Sequence, residues 1–297
     1  SSPVINIKSN QITISNFTIL ASEFTKPTGT YQYDEATYPK TAIKLENSYF
    51  CNITNNIIKN SGTAIWLFNA TNNTLVSNIV SENFFGITLT DSSSNNTISK
   101  NSLTNNLCAM QLFGTGSIIS HNMIKQNYIA YNEQGLSLQD ALSDNYPEDD
   151  LPNYIVENLI EYNEAGISLM DSQGNFIYNN NFVGNIRQVT DAAPVAIVSF
   201  SVNVWDNGTT GNYWSNYNGT GNMSYIINEY NKDNYPMLIP FEIPIENFPS
   251  FLPNSPSPTQ ILSIPPILDY PFFLILLIVL LCILVIGLLR KKRYEKL

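Results

Sequence analysis

Two carboxylates in this sequence occupy equivalent places in successive copies of a repeat. Asp140 and Asp171 each lie five residues after the glycine of a Gly-Leu-Ser-Leu or Gly-Ile-Ser-Leu segment. If the copies stack as strands they lie ~5 Å apart, a separation that suits the carboxylate pair of a retaining glycosidase. The pair is therefore a candidate catalytic site. The alternative is turn chemistry, because Asn47 and Asn69 hold the same place and both residue types favour tight turns.

Two insertions in the repeat carry further candidate ligands. Residues 20–41 are rich in tyrosine, and Tyr31 and Tyr33 are candidates for glycan contacts, with ordinary packing as the alternative. Residues 139–152 are acidic, and carboxylate oxygens are ligands that Ca²⁺ prefers. The candidate metal ligands there are Asp144, Glu148, Asp149 and Asp150. The spacing of an EF-hand is absent, so a solvated loop is the alternative.

Four aromatic residues cluster near the end of the repeats. Trp205, Tyr213, Trp214 and Tyr217 are candidates for a platform on which sugar rings stack. The alternative is a cap, because the end of a stacked array must be covered and bulky aromatic side chains do that well. The sequence favours the cap.

Metal and redox chemistry have little support in the composition. The chain has one histidine, His121, and three cysteines, of which Cys51 and Cys108 lie about two repeats apart. No Cys/His cluster with zinc spacing occurs, and we expect no disulfide between these two cysteines. No cofactor is predicted.

The sequence contains eight Asn-x-Ser/Thr motifs, which are N-glycosylation acceptors in an exported protein. An Asn- and Thr-rich repeat also produces such motifs by accident. The candidate acceptors are Asn16, Asn52, Asn69, Asn72, Asn95, Asn207, Asn218 and Asn222.

An internal repeat of about 22 residues would position all of these side chains. Its marker is a small residue followed by hydrophobic-x-Leu, beginning at Ala42, Ala64, Gly86, Ala109, Gly135 and Gly166. Asparagine recurs thirteen, eight and three residues before the marker, and isoleucine or leucine eleven before it. Short strands of this kind bury their apolar residues only by stacking. The pattern predicts an all-β, right-handed single-stranded parallel β-helix of about seven or eight coils, with Asn side chains hydrogen-bonded from coil to coil.

Two further coils are indicated outside the clear repeats. Gln188-Val189 resembles a degenerate last coil, and Asn10-Gln11-Ile12 suggests an earlier one. The segment between Leu112 and Asn122 is longer than the repeat requires. Its extra residues fall at the same corner as the acidic insertion, so we expect these two loops to lie side by side.

The repeats contain Asn-Asn-Thr and Gly-Ile-x-Leu motifs and resemble those of NosD-type β-helix proteins. That family is part of a wider group of carbohydrate-binding proteins and sugar hydrolases. The ending is more specific: residues 203–208 (NVWDNG), 211–217 (GNYWSNY) and 233–236 (DNYP) resemble the terminal segment of that family. The resemblance covers roughly residues 4–240. It implies a periplasmic accessory role in copper-site maturation with an ABC transporter. Copper sites prefer His, Cys or Met clusters, which this sequence lacks, so copper binding is not expected.

The C-terminal region has the pattern of a membrane anchor. Residues 271–289 are uninterrupted apolar sequence, long enough to span a bilayer as a helix, and Arg-Lys-Lys-Arg follows at once. The basic flank predicts a cytoplasmic C-terminus. Eight prolines in residues 240–266 indicate an extended stalk. We expect repeats over 1–200, a capping segment over 201–240, the stalk over 241–269, the transmembrane helix over 270–290 and a basic tail over 291–297.

These observations favour a single-pass plasma-membrane protein with an extracellular or periplasmic domain. A net charge of −10 argues against nucleic-acid binding. The first hypothesis is a non-enzymatic protein that binds a polysaccharide or a surface protein. The alternatives are a carbohydrate-active enzyme of glycosidase or lyase type, and an accessory protein for metal delivery with an ABC transporter.

Overall fold

The structure is a computed structural model that describes residues 3–20, 40–114, 117–140, 152–191, 201–220 and 222–244. The chain divides into two units, Ser1–Phe248 and Pro249–Leu297, and all described residues belong to the first. No helix among them has the length and apolar character needed to cross a bilayer. The predicted transmembrane helix and basic tail, and nearly all of the predicted stalk, lie outside the described residues.

Every strand of the repeats is short. In chain order they begin with β1 (Ile5–Ile7), β2 (Thr13–Ser15), β3 (Thr18–Leu20), β4 (Ile43–Glu46), β5 (Asn52–Thr54), β6 (Ile57–Lys59), β7 (Thr63–Phe68), β8 (Thr74–Val76) and β9 (Ile79–Ser81). They continue with β10 (Phe85–Thr90), β11 (Thr97–Ser99), β12 (Ser102–Thr104), β13 (Cys108–Gly114), β14 (Met123–Lys125), β15 (Tyr128–Ala130), β16 (Gln134–Asp140), β17 (Tyr154–Val156) and β18 (Leu159–Glu161). The last are β19 (Ala165–Leu169), β20 (Gln173–Tyr178), β21 (Asn181–Val183), β22 (Arg187–Asp191), β23 (Val202–Val204), β24 (Tyr213–Trp214), β25 (Tyr225–Ile226) and β26 (Lys232–Asp233).

These strands form three parallel sheets of eight strands each, as in a parallel β-helix. Sheet A has the order β1-β4-β7-β10-β13-β16-β19-β22, sheet B runs from β2 to β23 and sheet C from β3 to β24, each by every third strand. Each group of three consecutive strands is therefore one coil, numbered 1 to 8. The antiparallel pair β25–β26 follows the last coil. The predicted β-helix architecture is confirmed for the described residues.

The register agrees with the repeat read from the sequence. Ile65 pairs with Ile87, and Val189 pairs with Ile167, so Gln188-Val189 lies in the last strand of sheet A, β22. In coil 1 the partner of Ile53 is Ile14, so Ile12 rather than Asn10 lies two residues before the inward side chain. From coil 3 onward that position holds a ladder Asn, as Asn73 does before Leu75. The side chains of Ile87, Ile98 and Ile167 point inward and have no exposed surface.

Three ladders of buried asparagine run along the coils. Their members are Asn73, Asn96, Asn122, Asn153, Asn175, Asn203 and Asn231; then Asn56, Asn78, Asn101, Asn127, Asn158, Asn180 and Asn212; then Asn83, Asn106, Asn132, Asn163 and Asn185. Asn101 shows the pattern. Its Oδ1 accepts from the main-chain and side-chain N–H groups of Asn78, at 2.9 and 3.0 Å. Its Nδ2 donates to the Leu75 carbonyl and to Asn127 Oδ1, both at 3.0 Å.

The residue just before many ladder asparagines supplies a left-handed backbone. Asn72, Ser77, Lys100 and Tyr131 have φ between 54° and 60°, whereas the ladder asparagines do not have positive φ. Asn tolerates a left-handed backbone better than most residues, so the sequence alone predicts that the ladder Asn also forms the turn. The structure separates these two roles, because the left-handed residue turns the chain and the next side chain then points into the coil.

Replacing one ladder asparagine tests how much these hydrogen bonds stabilise the fold. Asn101→Ala removes the side-chain amide that accepts from Asn78 and donates to the Leu75 carbonyl and to Asn127 Oδ1. These buried groups then lose one hydrogen bond each to position 101. We expect the free energy of unfolding in urea to fall by at least ~3 kcal/mol, since each orphaned buried group costs about 1–3 kcal/mol. Asn52→Ala, at an exposed position in β5, is the control and should change it by less than about 0.5 kcal/mol. Equal effects would contradict the structural role of the ladder.

Candidate functional site

The outer face of sheet A presents two parallel rows of side chains, because alternate residues of each strand point outward. The first outer row, in register from coil to coil, is Lys44, Trp66, Thr88, Gln111, Ser137, Ser168 and Thr190. The second outer row is Glu46, Phe68, Thr90, Phe113 and Gln139. Between the two rows, leucines such as Leu67 and Leu89 point inward and are fully buried. The face is therefore aromatic at one end and rich in hydroxyl and amide groups beyond it.

The aromatic end of this face is held in place from two sides. Trp66 and Phe68 meet edge to face with 5.7 Å between centroids. Lys44 Nζ lies 4.5 Å from each ring centroid, within range of a cation–π interaction. Trp66 Nε1 donates to Thr90 Oγ1 at 2.9 Å. A partly exposed indole with a fixed orientation is a suitable surface for the apolar face of a sugar ring.

The hydroxyl groups of the first outer row differ in their partners. Thr190 Oγ1 donates to Ser168 Oγ at 3.0 Å, and Gln139 Nε2 donates to Ser137 Oγ at 3.3 Å. Thr88 is only 7% exposed, and its Oγ1 has no hydrogen-bond partner. An unpaired buried hydroxyl is costly, so Thr88 stands out on this face.

The candidate carboxylates lie at the corner that follows sheet A. Asp140 is the last residue of β16 and pairs in register with Gly114. Asp171 has φ 53°, and Asn47, Asn69 and Asp91, at the same place in other coils, have φ between 48° and 52°. Asp and Asn tolerate this left-handed backbone better than most residues. The column thus has the geometry that the turn interpretation requires, and the catalytic pair stays a hypothesis.

Strands β13 and β16 are neighbours in sheet A and end at paired residues, Gly114 and Asp140. Residues 115–116 and 141–151, which follow them, lie outside the described residues, so the side-by-side arrangement of the two loops stays a prediction. The remaining candidates of the insertions, Tyr31, Tyr33, Asp144, Glu148, Asp149 and Asp150, lie outside the described residues.

The aromatic residues after the repeats lie in the closing layer of the helix. Trp205 and Trp214 are each 1% exposed. Trp214 is stacked between Phe182 at 4.3 Å and Tyr225 at 4.2 Å, with interplanar angles of 9° and 8°. No face of Trp214 is left for a ligand ring, so this indole acts as a cap. Trp205 and Trp214, from two of the three terminal motifs that carried the family resemblance, thus pack at the end of the β-helix.

A buried carboxylate ties the cap to the second asparagine ladder. Asp233 is fully buried, and its Oδ2 accepts from the Asn212 main chain at 2.7 Å and from Trp214 Nε1 at 2.9 Å. Burial raises the pKa of Asp233. A Cβ on Gly211 would overlap the Asp233 carboxyl group, which explains the glycine there.

The two candidate tyrosines of the cap are less buried than the tryptophans. Tyr213 is half-buried in β24 and pairs with Asn181. The Tyr217 hydroxyl donates to the Met223 carbonyl at 2.6 Å, and its ring meets Tyr225 edge to face at 6.3 Å. Both therefore remain candidates for ligand contacts only at their exposed edges.

Sequence reasoning missed a tyrosine and glutamate cluster on sheet C and its corner. The Tyr128 hydroxyl donates to Glu161 Oε1 at 2.9 Å, and Tyr131 stacks on Tyr162 at 5.6 Å. Burial raises the pKa of Glu161, while the hydrogen bond from Tyr128 acts in the opposite direction. The signal that could have found it is the recurrence of Tyr at the left-handed corner position, where Tyr131 and Tyr162 have φ 60° and 52°.

The eight candidate glycosylation acceptors are all exposed, whereas the ladder asparagines are buried. Four of them lie at corners with a left-handed backbone, which are Asn16, Asn69, Asn72 and Asn95. Exposure makes each acceptor accessible to a modifying enzyme, and modification itself stays a prediction.

Copper donors do not converge in the described part of the chain, where no group of three His, Cys, Asp or Glu side chains could hold a metal ion. Cys51 and Cys108 are buried and unbridged, as expected. Burial raises the pKa of Cys108 to about 12, which disfavours the thiolate that metals require. His121 lies at a corner with its Nδ1 3.0 Å from Ser120 Oγ. These residues do not fit a copper site.

The raised pKa of Glu161 predicts how stability changes with pH. A carboxyl whose folded-state pKa is raised destabilises the native state while ionised, and the penalty disappears as pH falls through that value. We expect Glu161→Gln, which keeps an acceptor for Tyr128, to melt at a higher temperature than the wild type at pH 7.5. The difference should shrink at pH 5 in circular dichroism melts.

The matched control is Glu164→Gln, which removes an exposed ion pair with Arg187 (2.7 Å). Such a pair contributes little, so the control should melt near the wild-type temperature. A Glu161→Gln protein that melts below the wild type at pH 7.5 would contradict the raised pKa.

Comparison with known proteins places this fold in a family. The profile of the family described as "Periplasmic copper-binding protein (NosD)" matches residues 5–219. No curated protein matches the chain. Among solved structures, DFA-IIIase from Arthrobacter chlorophenolicus A6 in complex with GF2 is 14% identical, with a TM-score of 0.42, over 69% of this chain and 63% of that chain.

The same enzyme without its lid is 17% identical, with a TM-score of 0.25, over 69% and 62% of the two chains. The chain thus spans less than two thirds of the length of these enzymes, and neither likeness bears on its function. The family profile, in contrast, covers well over half of the sequence and all eight coils. The chain therefore belongs to the NosD family.

Proposed function

We propose that this chain is a membrane-anchored, extracytoplasmic, right-handed β-helix protein that binds glycan on the outer face of sheet A without transforming it. The observation that carries the proposal is the pair of outer rows. A positioned Trp66 beside Phe68 offers a stacking surface. Beyond it, the partly exposed side chains of Gln111, Ser168 and Thr190 offer hydrogen bonds, whereas Thr88, Thr90 and Ser137 are buried. Sugar sites typically combine these two kinds of group.

The location has independent support. The NosD family is described as periplasmic, which agrees with an exported domain. The apolar residues 271–289 and the basic residues after them have the composition of a single-pass anchor with an inside C-terminus. The exposed Asn-x-Ser/Thr motifs suit a domain that faces outward.

The two alternatives have weaker support in the described residues. A glycosidase would need Asp140 and Asp171 as a working pair, but Asp171 has the left-handed backbone of a turn position that Asn47 and Asn69 fill in other coils. A copper-delivery role would need a donor cluster, and none is present in the part of the chain described here. Release of sugar products that is lost in Asp171→Asn would favour the enzyme over the binding protein.

The test of glycan binding is a polysaccharide panel in native affinity electrophoresis with the purified chain in detergent. We expect retardation by at least one polysaccharide, and Trp66→Ala should weaken it at least about tenfold because a central aromatic anchor is lost. Phe17→Ala is the control, since Phe17 is 54% exposed but lies away from sheet A. Equal retardation of the wild type and Trp66→Ala would contradict the proposed binding site.

The anchor is tested by fractionation. The full chain should sediment with membranes, resist washing with high salt and carbonate, and be released by detergent, as expected for a transmembrane helix. A chain that ends after residue 240 should be recovered in the soluble fraction. Release of the full chain by carbonate alone would contradict the anchor.

A further inference from the structure

We propose that the C-terminal end of the β-helix rests on the surface of a lipid bilayer. The surface concerned is formed by residues 222–240 and is called the end layer. The inference rests on the membrane anchor proposed above and adds a second contact, made by the folded domain itself. Three features carry it, which are the position of the end layer, its exposed apolar side chains and the length of chain between it and the apolar residues 271–289.

The end layer lies across the last coil, from the corner between sheets A and B to sheet C. Asn231 extends the first asparagine ladder, since its Oδ1 accepts from the Asn203 main chain at 3.0 Å. The Met237 main chain donates to the Asn212 carbonyl at 2.9 Å and forms a parallel bridge with Tyr213 of sheet C. Among the described residues, no further coil lies beyond this layer. One of its faces therefore packs on the coils, and the other face does not.

The antiparallel pair β25–β26 shows which side chains belong to the outer face. Tyr225 stacks on Trp214 with 4.2 Å between centroids and so faces the coils. Neighbouring side chains of a strand point to opposite faces, so Ile226 points away from the coils, and it is 64% exposed. On the partner strand, Asp233 lies opposite Tyr225 and is buried, whereas Lys232 lies opposite Ile226 and is exposed.

The exposed side chains of the end layer are largely apolar. Residues 201–220, which precede it, expose only Val202 and Val204 among their large hydrophobic side chains. The end of a repeat array normally presents a polar outer face, which keeps the protein soluble. An exposed apolar surface in this place indicates an interaction site. Its large hydrophobic members are Met223, Ile226, Tyr230, Tyr235, Leu238 and Ile239.

The charge of the end layer suits a lipid surface. Its exposed charged residues are Glu229 and Lys232, which balance each other, whereas the chain as a whole carries −10. Anionic headgroups would repel an acidic face, but they do not repel a balanced one. Tyr230 and Tyr235 are 40% and 45% exposed, and tyrosine is favoured where headgroups meet acyl chains.

The chain that follows favours a bilayer over a second copy of this protein as the partner. Residues 245–270 join the described domain to the apolar residues 271–289 and can extend over about 90 Å at most. A chain of that length permits contact as well as separation. If residues 271–289 are the anchor, the tether makes contact with the same bilayer an intramolecular event, so that a modest apolar attraction is sufficient. A second copy has no such advantage.

Contact at this end is compatible with glycan binding on sheet A. The eight strands of sheet A stack along the axis of the β-helix, so their outer face extends away from the end layer. Trp66 lies on coil 3, five coils before the last coil, which corresponds to about 24 Å along the axis. A bilayer at the end layer therefore leaves the proposed glycan site open.

The contact is tested with a fluorescent NBD label on the full chain, reconstituted in phosphatidylcholine liposomes that carry nitroxide groups on their acyl chains. Lys232→Cys in the end layer and Thr18→Cys in coil 1 replace exposed residues. Both are made with Cys282→Ser, while Cys51 and Cys108 are buried. We expect the nitroxide to quench the label at position 232 at least about threefold more than the label at position 18, because interfacial apolar faces insert by about 5–10 Å.

The apolar side chains are tested on the labelled Lys232→Cys chain. The combined substitutions Ile226→Ser, Leu238→Ser and Ile239→Ser should reduce the quenching at least about threefold, because they remove the apolar surface that the lipid buries. The matched control is Val4→Ser, Phe17→Ser and Leu20→Ser, which changes three exposed apolar residues of coil 1 and should leave the quenching unchanged. Circular dichroism melts check that both variants fold. Quenching that survives the end-layer substitutions would contradict the proposed contact.

Flotation of the liposomes separates this inference from the anchor on which it rests. A chain that floats, but whose label at position 232 is quenched no more than the label at position 18, would overturn the bilayer contact and leave the anchor intact. A chain that does not float would overturn the anchor as well. Emission at position 232 that shifts to the blue with protein concentration, without quenching by the nitroxide, would indicate a second copy on the end layer and overturn the lipid partner.

Discussion

The hydrogen bonds between asparagine side chains of successive coils are the interaction on which the rest of the structure depends. Each coil has only three short strands, and a strand of three residues buries too little surface to be stable alone. The inward Ile and Leu column supplies the apolar burial, while the Asn ladders fill the corners, where the main chain would otherwise leave N–H and C=O groups unpaired. Because a ladder Asn within the array, such as Asn101, has partners on the coils before and after, the register of one coil determines that of the next.

The same constraint explains the end of the rod. A ladder must stop somewhere, and the last donors need an acceptor that is not another coil. At the end of the second ladder, Asp233 takes the place of a further Asn and accepts from Asn212 and Trp214. The paired rings of Trp214 and Tyr225 cover the apolar column at the same point. The aromatic motif that resembles a sugar platform in sequence is thus used for closure.

Closure of the interior leaves the outer faces free to vary. Side chains that point outward are not constrained by the ladders or by the apolar column, so their composition can follow function. Sheet A shows such variation on its outer face. Its first coils are charged, with Lys8, Lys44 and Glu46, whereas the two outer rows from Trp66 onward are uncharged. The tyrosine and glutamate cluster on sheet C is another example, in which the half-buried carboxyl of Glu161 accepts a hydrogen bond from Tyr128 and its ionised form is destabilised by burial.

The sequence by itself determined the β-helix, the length of its coils and the inward residues, because a one-dimensional stack repeats the same contacts at a fixed interval. It also predicted the hydrogen bonds between ladder asparagines, though it could not tell Asn73, which forms the ladder, from Asn72, which turns the chain. The platform or cap question at Trp214 and the state of the Thr88 hydroxyl were decided only by the tertiary structure. Both depend on which side chains from distant coils cover a given atom, and the period of the repeat carries no information about that.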